Sequence, residues 1–309
     1  MTTTASQVLT EGAQIACSEE CIMRPGNTNC GGCGMSIAHT MMGRFLAKAG
    51  EKAVLVIPAC CGIVTAGGYP ISSYNVPVLG STFGSAPAFA TGVAVVRDLN
   101  GEKEQVINWA GDGGTYDIGM ATLSAAAERN ENFIYICYDN EIYGNTGGQR
   151  SSATPIGAKT TTTPYGKKAL KKPIVDIMAA HRIPYAATVS IAHPQDFERK
   201  LNVAVKKKGF RFLLIHSPCP TGWKSEPSQT VNLVRIAVNS GLFPLYEVYD
   251  GVRYRVNADP DGTDPAQYYE AQRRFPKGAV DYDAVSAEAS ATHERLTRLA
   301  ELWPARDDE

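Results

Sequence analysis

This 309-residue sequence has almost no net charge: its 30 Lys and Arg nearly balance its 31 Asp and Glu, which leaves −1 at pH 7. Such a balance provides no global attraction to nucleic acid or to an anionic membrane. The first residues also lack the basic and then apolar segments that an export signal requires. We therefore expect a cytoplasmic protein whose partners include neither nucleic acid nor a membrane.

Charged residues are missing altogether from positions 53–96, here called the charge-free stretch. Prolines and glycines interrupt its apolar run well short of the roughly 20 residues that cross a bilayer, which excludes a membrane span. We expect the charge-free stretch to be buried against its own sheet and against another subunit or a cofactor.

Short β-branched or aromatic runs alternate with helical patterns along the chain. The predicted strands are Ala53–Ile57, Gln105–Trp109, Phe133–Tyr138, Ala186–Ser190 and Phe210–Ile215. The predicted helices are Met35–Ala49, Gly84–Arg97, Ile118–Arg129, Ile174–His181 and Asp196–Lys207. Strands with few polar interruptions are typical of a sheet covered on both faces. The pattern predicts an α/β fold with a doubly wound, mostly parallel sheet.

The character of the sequence changes after Leu242. Residues 1–242 are expected to form the main domain, and residues 243–309 a C-terminal extension of hairpin, linker and helix. Asp250-Gly251 between two short strand patterns predicts the hairpin. A charged helical pattern near residues 284–302 predicts the helical tail.

A glycine-rich segment lies where a predicted strand ends and a helix begins, with Gly111-Asp112-Gly113-Gly114 at its centre. Ligands bind at the carboxyl ends of strands in open α/β sheets. Glycines let the backbone approach phosphate oxygens, and a helix N-terminus offers unpaired N–H groups to an anion. Asp112 adds a hard carboxylate for Mg²⁺.

Asn140 follows the next predicted strand, with 26 residues between Gly113 and itself. Adjacent parallel strands end at the same edge of a sheet, so Asp112 and Asn140 are expected to lie side by side. Mg²⁺ takes octahedral oxygen ligands and uses one or two protein carboxylates together with phosphates. The alternative is a pair of ordinary strand-end turns.

Residues 145–164 form a loop rich in Gly, Ser, Thr and Pro. A loop of this length inside a compact domain is functional or disordered. Asn145, Thr146 and Gly147 directly follow the Asn140 segment and are expected to line the site. Asn145 is the candidate catalytic residue, since its amide can donate to a developing oxyanion or a substrate carboxylate; the alternative is an Asx turn that only shapes the loop.

Eight cysteines in a reducing compartment favour metal ligands, reactive thiols or core residues over disulfides. Cys30-Gly-Gly-Cys33 is followed by Cys60-Cys61 and, much later, by Cys219. Four thiolates suit either Zn²⁺ or a [4Fe–4S] cluster, and ligand number does not choose between them.

The remaining three cysteines are expected to have structural positions and not to bind the metal. Cys137 lies within a predicted strand and is expected in the core. Cys17 and Cys21 are expected to be exposed or packed on a helix.

Taken together, these motifs resemble the β subunits of pyruvate and other 2-oxoacid:ferredoxin oxidoreductases. The resemblance runs from about Cys30 to Gly251 and rests on CxxCG, a cysteine 27 residues later, GDGGTYDIG, YDNxxYxNTGxQRSSATP, TTTTPxGKK and SPC…W, in this order. It implies a fold of the thiamine diphosphate-binding, pyrophosphate-module type. It also implies that Asp112, Asn140 and the carbonyl of Ile142 hold the Mg²⁺ of thiamine diphosphate.

The same resemblance implies one [4Fe–4S] cluster near the thiamine. Its ligands would be Cys30, Cys33, Cys60 and Cys219. The position of Ile63, which is expected to contact the cofactor, favours Cys60 over its neighbour Cys61.

The activity implied is oxidative decarboxylation of a small 2-oxo acid, with pyruvate the first choice and coenzyme A the usual acyl acceptor. Electrons would pass through the cluster to ferredoxin. No Glu in the resembling region matches the carboxylate that activates thiamine. Other subunits are therefore expected to supply it, together with further iron–sulfur clusters, and the charge-free stretch is expected to form part of that contact.

Three alternatives stay open. One is a subunit of an oxalate oxidoreductase, which needs no coenzyme A. A second is a non-redox thiamine decarboxylase subunit with structural zinc, and a third is an electron-transfer or scaffold subunit that binds no thiamine. Two lysine clusters, at residues 167–172 and 206–208, are expected to be solvated rather than to dock ferredoxin.

Overall fold

The computed structural model describes residues 22–67 and 72–306, so Cys17 and Cys21 lie outside the described residues. One sheet runs through this part of the chain. Its strands are β1 (Ala53–Pro58), β2 (Val78–Ser81), β3 (Gln105–Gly111), β4 (Ile134–Asp139), β5 (Tyr185–Ser190), β6 (Arg211–His216), β7 (Tyr246–Tyr249) and β8 (Arg253–Val256).

The sheet has the strand order β2-β1-β3-β4-β6-β5-β7-β8. All neighbours from β2 to β5 are parallel, whereas β7 pairs antiparallel with β5 and β8 pairs antiparallel with β7. The mostly parallel sheet and the C-terminal hairpin are thus confirmed. Because the hairpin continues the main sheet, a domain boundary at residue 242 stays a prediction.

Helices fill the crossovers and the tail. The α-helices in the described residues are α1 (Gly34–Ala49), α2 (Cys61–Val64), α3 (Ala86–Asn100), α4 (Met120–Glu128), α5 (Ile174–Ala180), α6 (Pro194–Lys206), α7 (Pro220–Trp223), α8 (Thr230–Asn239), α9 (Ala266–Glu270) and α10 (Tyr282–Leu302). The helix predicted from Ile118 is preceded by a π-helical turn, Gly113–Asp117. Such turns are frequent at functional sites.

Both faces of the sheet are covered, as the apolar strands require. Apolar side chains of α1 and α6 pack on one face, and those of α3, α4 and α5 pack on the other. β1 is buried along its whole length, which agrees with the charge-free stretch. The outer face of α3 is not covered by the described residues, since Phe89, Val96 and Leu99 are exposed there, and its expected burial against another subunit stays a prediction.

The structure places no helix in residues 22–67 and 72–306 that combines the length and apolarity needed to cross a membrane.

A buried carboxylate on β7 ties the hairpin to the main sheet. Glu247 accepts hydrogen bonds from Tyr185 (2.7 Å), Arg199 (2.6 Å) and Asn257 (2.7 Å). Burial acts to raise the pKa of this carboxyl, but the hydrogen bonds from Arg199 and Tyr185 outweigh it and lower the pKa to about 2. The ionised form is therefore the one that the fold stabilises.

We predict that Glu247→Gln lowers the stability of the protein at neutral pH and makes that stability less dependent on pH. The folded-state pKa of Glu247 lies below its ordinary 4.5, so its contribution is present above that pH and disappears as the pH falls toward 2. The contribution is about 3 kcal/mol. Urea unfolding between pH 7 and pH 3 should give a lower free energy for the variant at pH 7 and a shallower pH dependence.

Glu198→Gln is the matched control, because Glu198 forms an exposed ion pair with Lys48. Its effect should stay within about 1 kcal/mol. Identical pH dependence in Glu247→Gln and the unaltered protein would contradict this account of the hairpin.

Candidate functional site

The register of β3 and β4 brings the two predicted magnesium ligands together. Gly111, the last residue of β3, pairs with Tyr138 near the end of β4, so Asp112 lies just past β3 and Asn140 just past β4. Their side-by-side position, expected from the sequence, is what the structure has. The carboxyl ends of these parallel strands form the floor of a cleft, as the fold type predicts.

Three polar groups converge on this floor. One terminal atom of the Asn140 amide lies 3.0 Å from Asp112 Oδ1 and 2.7 Å from the carbonyl oxygen of Ile142. With the amide nitrogen there, Asn140 donates to both oxygens; with the amide oxygen there, three acceptors meet and require a cation. Neighbouring ligands of an octahedral Mg²⁺ are about 2.9 Å apart, given bonds of about 2.05 Å. The spacing fits that ion.

The Asp112 carboxylate is only partly compensated by its neighbours. It is buried, and its Oδ2 has no hydrogen-bond partner within the described part of the chain. Burial, and then the neighbouring Asp139 carboxylate, raise the pKa of Asp112 well above its usual range. A divalent cation at this point would offset both effects.

The cleft above this floor is narrow and glycine-rich. Eight of the residues predicted to bind the cofactor line it: Gly111, Asp112, Gly113, Gly114, Asn140, Ile142, Asn145 and Thr146. Gly113 opens the π-helical turn, and a Cβ there would lie 2.5 Å from the ring of Tyr143. The absence of a side chain thus lets the backbone reach the cleft.

Four predicted residues lie at or beyond the cleft's edge. Asn145 and Thr146 are exposed, and Gly147 follows them with φ of 110°. Ile63 lies on α2, where its Cδ1 is 3.7 Å from the position of a Cβ on Gly80 of β2. It is not one of the residues that line the cleft, so its contact with a cofactor stays a prediction.

The CxxC loop is held against the segment that carries the last cysteine. The Gly34 N–H donates to the Pro218 carbonyl at 2.9 Å. A Cβ on Gly34 would come within 2.6 Å of the Ser217–Pro218 backbone, and Gly32, with φ of 69°, is equally close to Pro227. Glycine at both positions lets the loop carrying Cys33 reach the segment carrying Cys219.

Cys60 and Cys61 face different neighbours. Cys60 is buried, and its thiol interacts with the Tyr138 hydroxyl. Burial, followed by the electrostatic influence of Cys219, Cys60, Cys33 and Cys30, raises the pKa of Cys61 to about 12. Cys61, at the start of α2, is therefore the one of the pair that shares surroundings with the other three predicted ligands.

Gly144 lines the cleft beside Cys61, which lines it too. A Cβ there would lie 3.6 Å from Cys219 Sγ and 4.0 Å from Cys61 Sγ. The cysteines and the cleft thus share a border. Within residues 22–67 and 72–306, no three His, Cys, Asp or Glu side chains are close enough to surround a single metal ion. Cys137 is buried in the core, as predicted.

Two lysines that were expected to be solvated have structural roles instead. Lys167 is buried and donates to the carbonyls of Ser152 (2.9 Å) and Thr154 (2.6 Å). Lys171 lies 2.6 Å from Asp139 and 3.3 Å from Glu141. The solvated interpretation was wrong for both because the long loop folds back and brings these cations over buried acceptors.

The sequence reasoning also missed the residues behind the cleft floor. Burial acts to raise the pKa of Glu141, but the cations Lys171 and Arg274 outweigh it and lower the pKa to about 2. The two carboxylates flanking Asn140 were a signal that cations must lie nearby. Their identity depends on chain topology, which the sequence pattern does not give.

Comparison with known proteins places these features in a family. Residues 60–215 match the family model described as thiamine pyrophosphate enzyme, C-terminal TPP binding domain. The ketoisovalerate oxidoreductase subunit VorB of Pyrococcus abyssi is 42% identical over 294 residues, which cover 90% of this chain and 93% of the relative. The pyruvate synthase subunit PorB of Methanothermobacter marburgensis is 43% identical over 264 residues, 83% of this chain and 90% of the relative.

A solved structure shares the fold. The 2-oxoglutarate:ferredoxin oxidoreductase from Magnetococcus marinus, with 2-oxoglutarate, coenzyme A and succinyl-CoA bound, matches with a TM-score of 0.62 and 23% identity over 88% of this chain and 96% of that one. With the family model, this confirms the predicted fold type. The chain therefore belongs to the β subunits of the thiamine diphosphate-dependent 2-oxoacid:ferredoxin oxidoreductases.

Proposed function

We propose that this subunit holds thiamine diphosphate through a Mg²⁺ bound by Asp112, Asn140 and the Ile142 carbonyl. The observation that carries the proposal is the convergence of these three groups, at distances of 2.7 and 3.0 Å, beside the glycine-rich turn. Gly113 and Gly114 line the cleft at the start of the π-helical turn, where their backbone would approach diphosphate oxygens. When bound, the cofactor supplies a nucleophilic carbon and accepts the electron pair that decarboxylation leaves.

The exposed loop beyond the metal site would handle the substrate. Asn145 and Thr146 border the cleft and are exposed, with the Thr146 hydroxyl donating to Gln149 Oε1. Asn145 would donate to the substrate carboxylate or to the oxygen on which charge develops. Gly147 would let the backbone turn close to the cofactor.

For the cluster, we propose Cys30, Cys33, Cys61 and Cys219 as ligands of one [4Fe–4S] centre, with Cys61 in place of Cys60. The thiols of the other three cysteines all influence Cys61, whereas Cys60 is engaged with Tyr138. The shared border at Gly144 would keep the cluster close to the thiamine. Electrons would leave through this cluster toward ferredoxin.

The proposed substrate is a small 2-oxo acid. Pyruvate remains the first choice, with coenzyme A as acyl acceptor. Relatives of similar identity are named for ketoisovalerate and for pyruvate, so a branched 2-oxo acid is the nearest competitor. The subunit is expected to work in the cytoplasm.

The activating carboxylate would come from another subunit of the same complex. Asp112, already assigned to the metal, is the carboxylate among the described residues that line the cleft. Leu79, Phe89, Val96 and Leu99 expose an apolar face along β2 and α3, within or just beyond the charge-free stretch. An apolar face without charges is typical of the centre of a subunit interface, and we propose that the partner covers it.

Anaerobic purification with co-purifying subunits tests the function. Reduction of a low-potential dye should require pyruvate or ketoisovalerate together with coenzyme A, and Asp112→Asn should abolish it while the complex stays assembled. Iron should accompany the protein. Zinc without iron, or dye reduction by none of the 2-oxo acids, would contradict the proposal. Reduction driven by oxalate without coenzyme A would change the assigned substrate from pyruvate to oxalate.

Substitution of the adjacent cysteines tests the ligand assignment. Cys61→Ser should lower the iron content and remove or alter one reduced-cluster signal in low-temperature electron paramagnetic resonance, because a thiolate ligand is lost. Cys60→Ser is the matched control and should keep both the iron and the signal. Loss of the signal in Cys60→Ser with retention in Cys61→Ser would restore Cys60 as the ligand.

A further inference from the structure

The turn that carries the proposed magnesium ligands, Asn140–Ile142, has a strained backbone. Its middle residue, Glu141, has φ of 61°, a left-handed conformation that is uncommon for residues other than glycine. Such conformations persist only where surrounding contacts hold them. We call these three residues the metal turn, and the question is what keeps it in place.

Part of the answer is a buried ion pair with the C-terminal extension. Arg274 Nη2 lies 2.5 Å from Glu141 Oε2, and the two side chains are 1% and 6% exposed. Arg274 belongs to the segment between α9 and α10, far along the chain from the turn. An unpaired carboxylate would be unfavourable at this depth, so the position of Glu141 depends on this cation and on Lys171.

Trp223 connects the same arginine to Asn140, the first residue of the metal turn. The Arg274 guanidinium lies over the Trp223 ring, 4.2 Å from its centroid, and the backbone N–H of Arg274 donates to the Trp223 carbonyl at 3.3 Å. Trp223 in turn donates from Nε1 to the Asn140 carbonyl at 2.7 Å. Asn140 and Glu141 are thus held from behind by two stacked side chains.

Helix α7, which ends at Trp223, also contacts Ile142, the third proposed magnesium ligand, and lies beside Cys219. A Cβ on Gly222 would lie 2.9 Å from Ile142 Cγ2 and 3.3 Å from Cys219 Sγ. Trp223 therefore ends a short helix that borders both the metal turn and a proposed cluster ligand. Displacement of this helix would disturb both sites.

We propose that Arg274 and Trp223 form a clamp through which the C-terminal extension fixes the metal turn and sets the affinity for magnesium thiamine diphosphate. Arg274 faces the back of the turn and does not line the cleft, so it is a positioning residue. The proposal rests on the proposed function, because it assumes that the metal turn binds the diphosphate's metal ion.

The test uses the purified complex, stripped of cofactor and titrated calorimetrically with thiamine diphosphate in excess Mg²⁺. Arg274→Met should raise Kd by roughly tenfold or more, which corresponds to about 1.4 kcal/mol. At saturating cofactor, kcat should stay near that of the unaltered complex, since the substitution acts on the turn's resting position. Arg274→Lys keeps the charge but loses the planar contacts, and should recover part of the affinity.

Arg295→Met is the matched control. Arg295 lies on α10 of the extension and pairs with Asp176 of α5 at 2.9 Å, away from the metal turn. Its loss should leave Kd unchanged, which separates a specific clamp from general loosening of the extension. If Arg274→Met fails to fold, Arg274→Lys and the neutral double variant Glu141→Gln with Arg274→Gln take its place.

The clamp and the proposed metal site would be contradicted by different results. An unchanged Kd in folded Arg274→Met, or an equal rise in Arg295→Met, would overturn the clamp. An Asp112→Asn complex that binds the cofactor as tightly as the unaltered complex would instead overturn the proposed metal site.

Discussion

The arrangement of this site depends on the buried Asp112 carboxylate, whose Oδ2 has no hydrogen-bond partner among the described residues. Asp112 is placed at the end of β3 where burial and Asp139 both oppose its ionisation. Asn140 and the Ile142 carbonyl meet it at hydrogen-bonding distances. Oxygen atoms crowded in this way are stable only if a cation or an amide proton lies between them. The sheet, the glycine-rich turn and the long loop all serve to hold these groups at that spacing.

Negative charge must also be balanced behind the cleft floor, where cationic side chains of the protein do so. Asp139 and Glu141 face away from the cleft and meet Lys171 and Arg274, so the turn carries acceptors on one side and ion pairs on the other. The ion pairs supply the counter-charges at the back, whereas no described residue forms an ion pair with Asp112. This division of charge gives the C-terminal extension a role in the site, since Arg274 comes from it.

Much of the site was predictable because its signals are local. Each motif can be recognised from a short stretch of sequence: the glycines around Asp112, the spacing to Asn140, and the paired cysteines of CxxC. The alternation of strands and helices then places these motifs at one edge of the sheet. The choice of Cys60 over Cys61 rested on the position of Ile63 alone, because the spacing of the motif does not separate two adjacent cysteines. Arg274, Lys171 and Trp223 were missed because their function depends on contacts between distant parts of the chain. The edge strand β2 was missed because four residues with one glycine give little pattern.

The most direct test of the central claim is the position of the metal ion. Crystals of the complex grown with thiamine diphosphate and Mn²⁺ in place of Mg²⁺ would locate the ion by anomalous scattering. The account predicts an anomalous peak within about 2.3 Å of an Asp112 carboxylate oxygen, the Asn140 amide oxygen and the Ile142 carbonyl oxygen, allowing for an ion somewhat larger than Mg²⁺. A peak elsewhere, with the Asn140 nitrogen still donating to Asp112, would contradict it.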